Sequence, residues 1–511
     1  MIDQKLQNLI DLDLSYNSLL LINTTIRNPN SSFPELETLK LVSCNLQGFP
    51  DFSRHRRQST LSHLDLSNNQ IHGEIPSWIW DIGHYGFLNY LNLSFNFLNK
   101  LEQPLPDQSF ISTVLVLDLH SNILQGPIPV LPSLITACMD LSNNSFQSII
   151  PSNIGDSLII NNYYSLSSNN LTGEIPQSIC NAHSLEVLDL SNNSLSGAIP
   201  SCLANMDALT VLNLQGNHFV GRIPQDFQVG CILKTLDLSV NKLEGPLPTA
   251  LANCKKLEVL NLGNNRINGA FPFWLASFAD LRVLVLHSNR FAGHIRGYDV
   301  TNHSNFPKLQ FIDLSSNNFT GNLPSEFFMQ WTAMMADENE TQSKIKHEAL
   351  SSMVVPYAER YVGLETYYQD TVTVTIKGQE MVLTKILTIH TSIDLSNNGF
   401  QGEIPNVPGS LTSLCLLNLS HNALTGRIPS SLGNLQQLES LDLSSNKLGG
   451  EIPQQLASLT FLSVLNLSWN NLTGMIPKGT QFQTFSESSF QGNEGLCGAP
   501  LSRRKLLLAR K

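Results

Sequence analysis

The sequence predicts an α/β repeat solenoid, and three observations carry that prediction. A phrase of about two dozen residues recurs along nearly all of the 511-residue chain. Within each copy, leucines alternate with outward residues as in a short strand with one buried face. Each strand is too short to bury its apolar face alone, so copies must stack, one turn upon the next.

The recurring phrase is L-x-x-L-x-L-x-x-N-x-L-x-G-x-I-P, the leucine-rich repeat in its plant-type length. Its Asn position falls at Asn17, Cys44, Asn69, Asn96, Asn122, Asn144, Asn169, Asn193, Asn217, Asn241, Asn265, Asn289 and Asn317, and again at Asn398, Asn422, Asn446 and Asn470. From Asn169 to Asn289, and from Asn398 to Asn470, the step is 24 residues. Leucine pairs such as Leu260 and Leu262 supply one parallel strand per turn, lining a concave face. The Asn amide is expected to satisfy backbone groups of the adjoining turn, with Cys44 filling one such slot. Gly197 and Pro200 illustrate the turn that closes each copy. The expected fold is thus a plant-type leucine-rich-repeat superhelix with parallel strands on its concave face, interrupted by an island insertion.

Four segments follow: repeats over 1–324, about 13 turns without an N-terminal cap; an island over 325–390; four closing repeats over 391–480; and a partial C-terminal cap and tail over 481–511. The island is read from the step of 81 residues between Asn317 and Asn398. An interruption of that length in a compact array points to function. Inside it, Thr371 to Ile376 alternates like a strand and Lys377-Gly378 reads as a turn. In the cap, Phe482, Phe485 and Phe490 are expected to cover the last turn. Met1 falls inside a repeat, and the sequence lacks a secretory signal or an apolar run long enough to span a membrane.

Composition narrows the function. The net charge of -11, with no basic stripe, argues against nucleic acid. Eight cysteines include no C-x-x-C pair, so no metal or cofactor is expected. Cys231 with Cys254, and Cys180 with Cys202, occupy similar places in adjacent turns and are candidate disulfides. Asp13, Asp65, Asp118, Asp140, Asp189, Asp237, Asp313, Asp394 and Asp442 share one outward position, with Asn at Asn92, Asn213, Asn261, Asn418 and Asn466. A catalytic carboxylate pair needs two differing environments and a cleft; a column of equivalent sites offers neither, so no enzyme is expected.

Specificity should therefore sit where that face departs from the consensus. Candidates for ligand or partner binding are Lys234, Glu258, Arg282 and His287 in the middle turns, Tyr361, Tyr367, Tyr368 and Lys377 in the island, and His421 and Trp469 in the closing repeats. Sequons mark Asn23, Asn30, Asn92, Asn143, Asn170, Asn192, Asn302, Asn318, Asn339, Asn418, Asn466 and Asn471 as glycosylation candidates, a density that fits an extracellular protein.

The run "YYQDTVTVTIKGQEMVLTKILTIHTSIDLSNNGFQGEIP", then four repeats and "GNEGLCGAPLS", resembles the plant leucine-rich-repeat receptor-like proteins, the family of the Cf-type and Ve-type disease-resistance receptors, truncated here at both ends. In that family Cys497 is followed some seven or eight residues on by a second cysteine, where this chain has Arg504 and Lys505. The resemblance implies a plasma-membrane receptor with extracellular repeats that binds an extracellular protein or peptide. It also implies partner kinases: an adaptor receptor kinase and a co-receptor kinase of the somatic-embryogenesis type. Alternatives are a soluble apoplastic inhibitor or decoy of microbial enzymes, and a truncated product without function.

Overall fold

The computed structural model describes residues 9–18, 36–50, 60–82, 88–103, 114–131, 136–295, 306–329, 331–335, 372–376, 379–383, 391–479 and 481–501. The chain divides into two compact units that part between Val220 and Gly221. Both are leucine-rich-repeat solenoids of parallel strands.

In the first unit each turn contributes a three-residue strand: Asp11–Asp13, Thr38–Lys40, His63–Asp65, Tyr90–Asn92, Val116–Asp118, Cys138–Asp140, Tyr163–Ser165, Val187–Asp189 and Val211–Asn213. All pair in parallel with equivalent residues opposite one another, so Asp65 faces Asn92, Asn92 faces Asp118 and Asp118 faces Asp140. The middle residue of each strand points inward; Leu64, Leu91, Leu117 and Leu188 are fully buried. Behind the strands the chain returns through short 3-10 turns such as Gln177–Asn181 and Ser201–Asn205, each following a proline. Pro176 suits that place because its φ is already near the helical value and its missing N–H would find no partner there. Gly155 allows the closest approach between turns: a Cβ there would lie 1.7 Å from the Ser178 carbonyl oxygen.

The second unit repeats the pattern with strands Thr235–Asp237, Val259–Asn261, Val283–Val285, Phe311–Asp313, Ser392–Asp394, Leu416–Asn418, Ser440–Asp442 and Val464–Asn466. A second parallel ribbon follows the Asn positions, running through Arg266–Gly269, Arg290–His294, Asn318–Asn322 and Gly399–Glu403. Both ribbons close directly over the interruption. Ile312 pairs with Ile393, Asp313 with Asp394 and Gly321 with Phe400, as if one turn followed the next. The rings of Phe291, Phe319 and Phe400 stack through this junction at 6.1 and 6.3 Å. Residues Ser325–Phe328 and Thr332–Met334 occupy the return side, with Phe328, Trp331 and Met334 fully buried. Their backbone ties to both neighbours: Ala333 N–H donates to the Pro307 carbonyl and Ser413 N–H to that of Met334. Beyond, Val372–Ile376 and Gln379–Leu383 form an antiparallel hairpin. The turn at Lys377-Gly378 lies outside the described residues.

The Asn positions form the ladder that joins the turns within each unit. Asn193 Nδ2 donates to the carbonyls of Leu166, Leu190 and Ser191 at 3.0, 3.2 and 3.0 Å, while its Oδ1 accepts from Leu171 N–H at 3.0 Å. Asn446 repeats this with Leu419, Leu443, Ser444 and Leu424. Cys44 keeps the donor half of the scheme: its thiol donates to the Leu14 carbonyl at 3.1 Å. The C-terminal segment extends the ladder by a turn that the sequence pattern concealed. Asn493 Oδ1 accepts from Leu472 N–H and its amide donates to the carbonyls of Leu467 and Phe490. Phe482, Phe485 and Phe490 are buried within that turn, and Gly495–Cys497 pairs with Asn471–Met475.

Candidate recognition surfaces

On the outward strand face the repeat fixes two positions per strand, one on either side of the buried leucine. The second carries the Asp/Asn column, and its acids are held in place by local backbone: Ser67, Ser142, Ser191, Ser315 and Ser396 N–H groups each donate to the Oδ1 of the Asp two residues earlier at 2.9 Å. This explains Asp at so many turns without any catalytic role, since the short side chain closes a turn after the strand.

In the first unit the other position is aromatic or apolar from Tyr90 through Val116 and Cys138 to Tyr163. His63 lies flat against Tyr90 at 4.1 Å, and Tyr90, Val116 and Cys138 form a small cluster with Tyr163 packed on its edge. The His63 Nε2 is buried and meets no hydrogen-bond partner. Burial, with the Lys40 charge nearby, holds its pKa down at about 4. Beside this cluster, Asp118, His120 and Asp140 bring two carboxylate oxygens and an imidazole nitrogen within 4.8 Å of one another. His120 Nδ1 is 2.6 Å from Asp118 Oδ1. Burial disfavours the charged ring, but the bond to Asp118 and the charges of Asp118 and Asp140 outweigh it, and the His120 pKa lies above its ordinary value. Asp140 is pushed up by burial and by Asp118, and burial raises Asp189 to about 6. By donor type the trio could hold a cation. Sequence reading missed it because His120 occupies a position that is Ser in neighbouring turns, and only the in-register pairing shows Asp140 beside Asp118.

The second unit holds most of the residues singled out from sequence. Lys234, Glu258 and Arg282 immediately precede three successive strands and form one half-buried column, linked by Glu258 N–H to the Lys234 carbonyl and Arg282 N–H to that of Glu258, both at 2.8 Å. Arg282 Nε donates to Gln310 Oε1 at 3.2 Å, while its Nη2 is buried without a partner. His287 sits after the third strand, its ring over Gly263. His421 and Trp469 lie two turns apart, each just before a ladder Asn and each with positive φ, 52° and 57°. Both are exposed, Trp469 at 59%. These two groups are not brought together. Tyr361, Tyr367, Tyr368 and Lys377 lie outside the described residues.

Asp313 and Asp394 face each other across the junction. Burial raises Asp313 to about 6; burial and the Asp313 charge raise Asp394 to about 7. Asn418 Nδ2 donates to the free Asp394 oxygen at 2.9 Å.

Cys180 is bonded to Cys202 and Cys231 to Cys254, with Cα separations of 5.8 and 4.6 Å. Among the sequons, Asn143, Asn170, Asn192, Asn318 and Asn471 are exposed. The amides of Asn92, Asn418 and Asn466 are engaged on the strand face, with Tyr90, Asp394 and Asp442 respectively. Asn23, Asn30, Asn302 and Asn339 fall outside the described residues.

Comparison with known proteins gives a consistent picture. Leucine-rich-repeat family models match residues 164–219, 232–291 and 391–448, and, as single repeats, 60–82, 308–329 and 461–482. The chain is 40% identical over 417 residues to Receptor-like protein 53 of Arabidopsis thaliana, covering 80% of this chain and 35% of that protein. It is 43% identical over 494 residues to Receptor-like protein 47 of the same plant, covering 96% and 56%. The chain thus spans between about a third and somewhat over half of these relatives. Among solved structures it resembles the plant peptide hormone receptor RGFR1 in complex with RGF2, with TM-score 0.68 and 25% identity over 91% of this chain and 69% of that one. It also resembles PEPR1 in the PEPR1-AtPEP1 structure, with TM-score 0.66 and 28% identity over 96% and 66%. No helix among the described residues is long and apolar enough to cross a membrane.

Proposed function

The chain belongs to the plant leucine-rich-repeat receptor-like proteins, and on that premise we propose that it is a non-catalytic recognition array. It binds an extracellular protein or peptide on its strand face and signals through partner receptor kinases, in plant defence. The observation that carries this reading is the likeness to the plant peptide hormone receptor RGFR1 in complex with RGF2, at a TM-score of 0.68, joined by the likeness to PEPR1-AtPEP1 at 0.66. The strand face supports it: a rigid hydrogen-bonded backbone presents side chains that differ from turn to turn, which suits recognition by preorganised contacts. Lys234, Glu258, Arg282 and His287 are proposed to contact ligand. His421 and Trp469 are proposed to contact a co-receptor kinase of the somatic-embryogenesis type, and the residues of 325–390 to contribute as an island domain.

The test is a chimera in which this chain precedes the C-terminal segment of Receptor-like protein 47, expressed in leaf tissue. The expected result is an oxidative burst and co-purification of a receptor kinase on exposure to one of a panel of microbial culture filtrates. Silence to the whole panel, together with inhibition of a wall-degrading activity in a filtrate, would replace this reading with that of an inhibitor.

A further inference from the structure

The strand face of the first unit carries a feature that neither the repeat nor packing requires. Asp118 and Asp140 stand side by side, yet Asn fills the same position at Asn92 and Asn213 within this unit, so the fold does not demand an acid there. The imidazole against this pair is His120, whose Nδ1 takes one oxygen of Asp118 at 2.6 Å. Tyr163 directs its hydroxyl at Asp140 Oδ2 from 3.5 Å. No hydrogen bond among the described residues reaches Asp118 Oδ2. A second and independent observation lies two strands away: His63, 91% buried, stacks on the tyrosine that covers Val116 and leaves its Nε2 without a partner. A buried polar atom left unpaired is costly, and a ligand group would complete it.

We propose that this strip, from His63 to Tyr163, binds an extended peptide through one basic side chain. The guanidinium or ammonium group sits over Asp118 and Asp140, and a polar backbone group of the same peptide meets His63 Nε2. Charge complementarity selects the occupant: two adjacent carboxylates repel each other, and a planar guanidinium answers both with directed N–H donors. Strand spacing separates the two anchor points by about 10 Å, which an extended peptide crosses in roughly three residues. The proposal rests on the reading of the chain as a receptor for an extracellular peptide and names the chemistry that one unit selects.

The probe is a phage-displayed library of random 12-residue peptides, selected on the full chain. Enriched sequences are expected to carry Arg or Lys. Their synthetic versions should bind at least tenfold more weakly to the Asp118→Asn/Asp140→Asn variant, and likewise when citrulline replaces arginine. His63→Ala should weaken them severalfold. The Asn variant keeps a side chain already used at this position, and an unchanged circular dichroism spectrum verifies its fold. Peptides that bind the double variant as tightly as the parent would overturn this site while leaving the receptor reading intact. A selection that enriches nothing would count against both. Stoichiometric zinc binding that is lost in His120→Ala, with peptide binding abolished by metal, would reassign the trio to a metal ion and overturn the proposal.

Discussion

The two units share one backbone plan and differ in what they place on it. In the first, the strand face between His63 and Tyr163 is aromatic beside a pair of acids, and one of those acids is answered by a histidine. In the second, Asp313 and Asp394 hold the same repeat position and face each other in the same register, but each is followed by a serine turn, at Ser315 and Ser396, and Asn418 is the neighbouring donor. Position in the repeat therefore dictates the backbone and the in-register pairing, whereas the side chain two residues on and the donor of the neighbouring turn dictate the local chemistry. Equivalent carboxylates thus meet a histidine in one unit and an asparagine amide in the other.

The largest effect should come from what the units have in common. Asn193→Ala and Asn446→Ala each remove four hydrogen bonds and strand buried backbone groups, and each is expected to cost about 3 kcal/mol in urea unfolding. A large difference between them would mean that the ladder is not the shared support.

The carboxylates should then separate the units. Asp313 and Asp394 have folded pKa values raised to about 6 and about 7. A raised value means that their contribution is fully present below about pH 4 and is lost as pH rises through 6 to 7. Asp394→Asn should thus be more stable than the parent at pH 8, by about 2 kcal/mol, and should gain nothing at pH 4. Thermal melts at the two values give the comparison. His120 also has a raised value, so its contribution is present below about pH 6.5 and fades above; Asp118→Asn should abolish that slope.

A smaller change is expected at Cys44→Ala, which loses a thiol bond to the Leu14 carbonyl and should cost about 1 kcal/mol. Smallest in energy, but sharpest as a pattern, is glycan occupancy. Peptide mapping of the folded protein secreted from plant cells should find glycans at Asn143, Asn170, Asn192, Asn318 and Asn471. It should find none at Asn92, Asn418 and Asn466, whose amides are engaged on the strand face.

Much of the fold was legible because a period needs no tertiary information. The spacing of Leu260, Leu262 and Asn265 specifies strand, inward face and ladder wherever it recurs. Where the phrase changes, legibility fell. The turn built on Asn493 lacks the leucine pattern, and the buried Phe328, Trp331 and Met334 have no repeat to announce them. The candidate surfaces were readable only as departures from consensus. Asp118, His120 and Asp140 escaped notice as a group because their adjacency arises between turns, at a separation set by the pairing register.

The most direct test of this division of roles is a titration of one selected basic peptide against three proteins: the parent, Asp118→Asn/Asp140→Asn and Asp313→Asn/Asp394→Asn. The account predicts at least a tenfold loss of affinity in the first variant and parent-like affinity in the second. Equal losses in both, or a loss in the second alone, would contradict it.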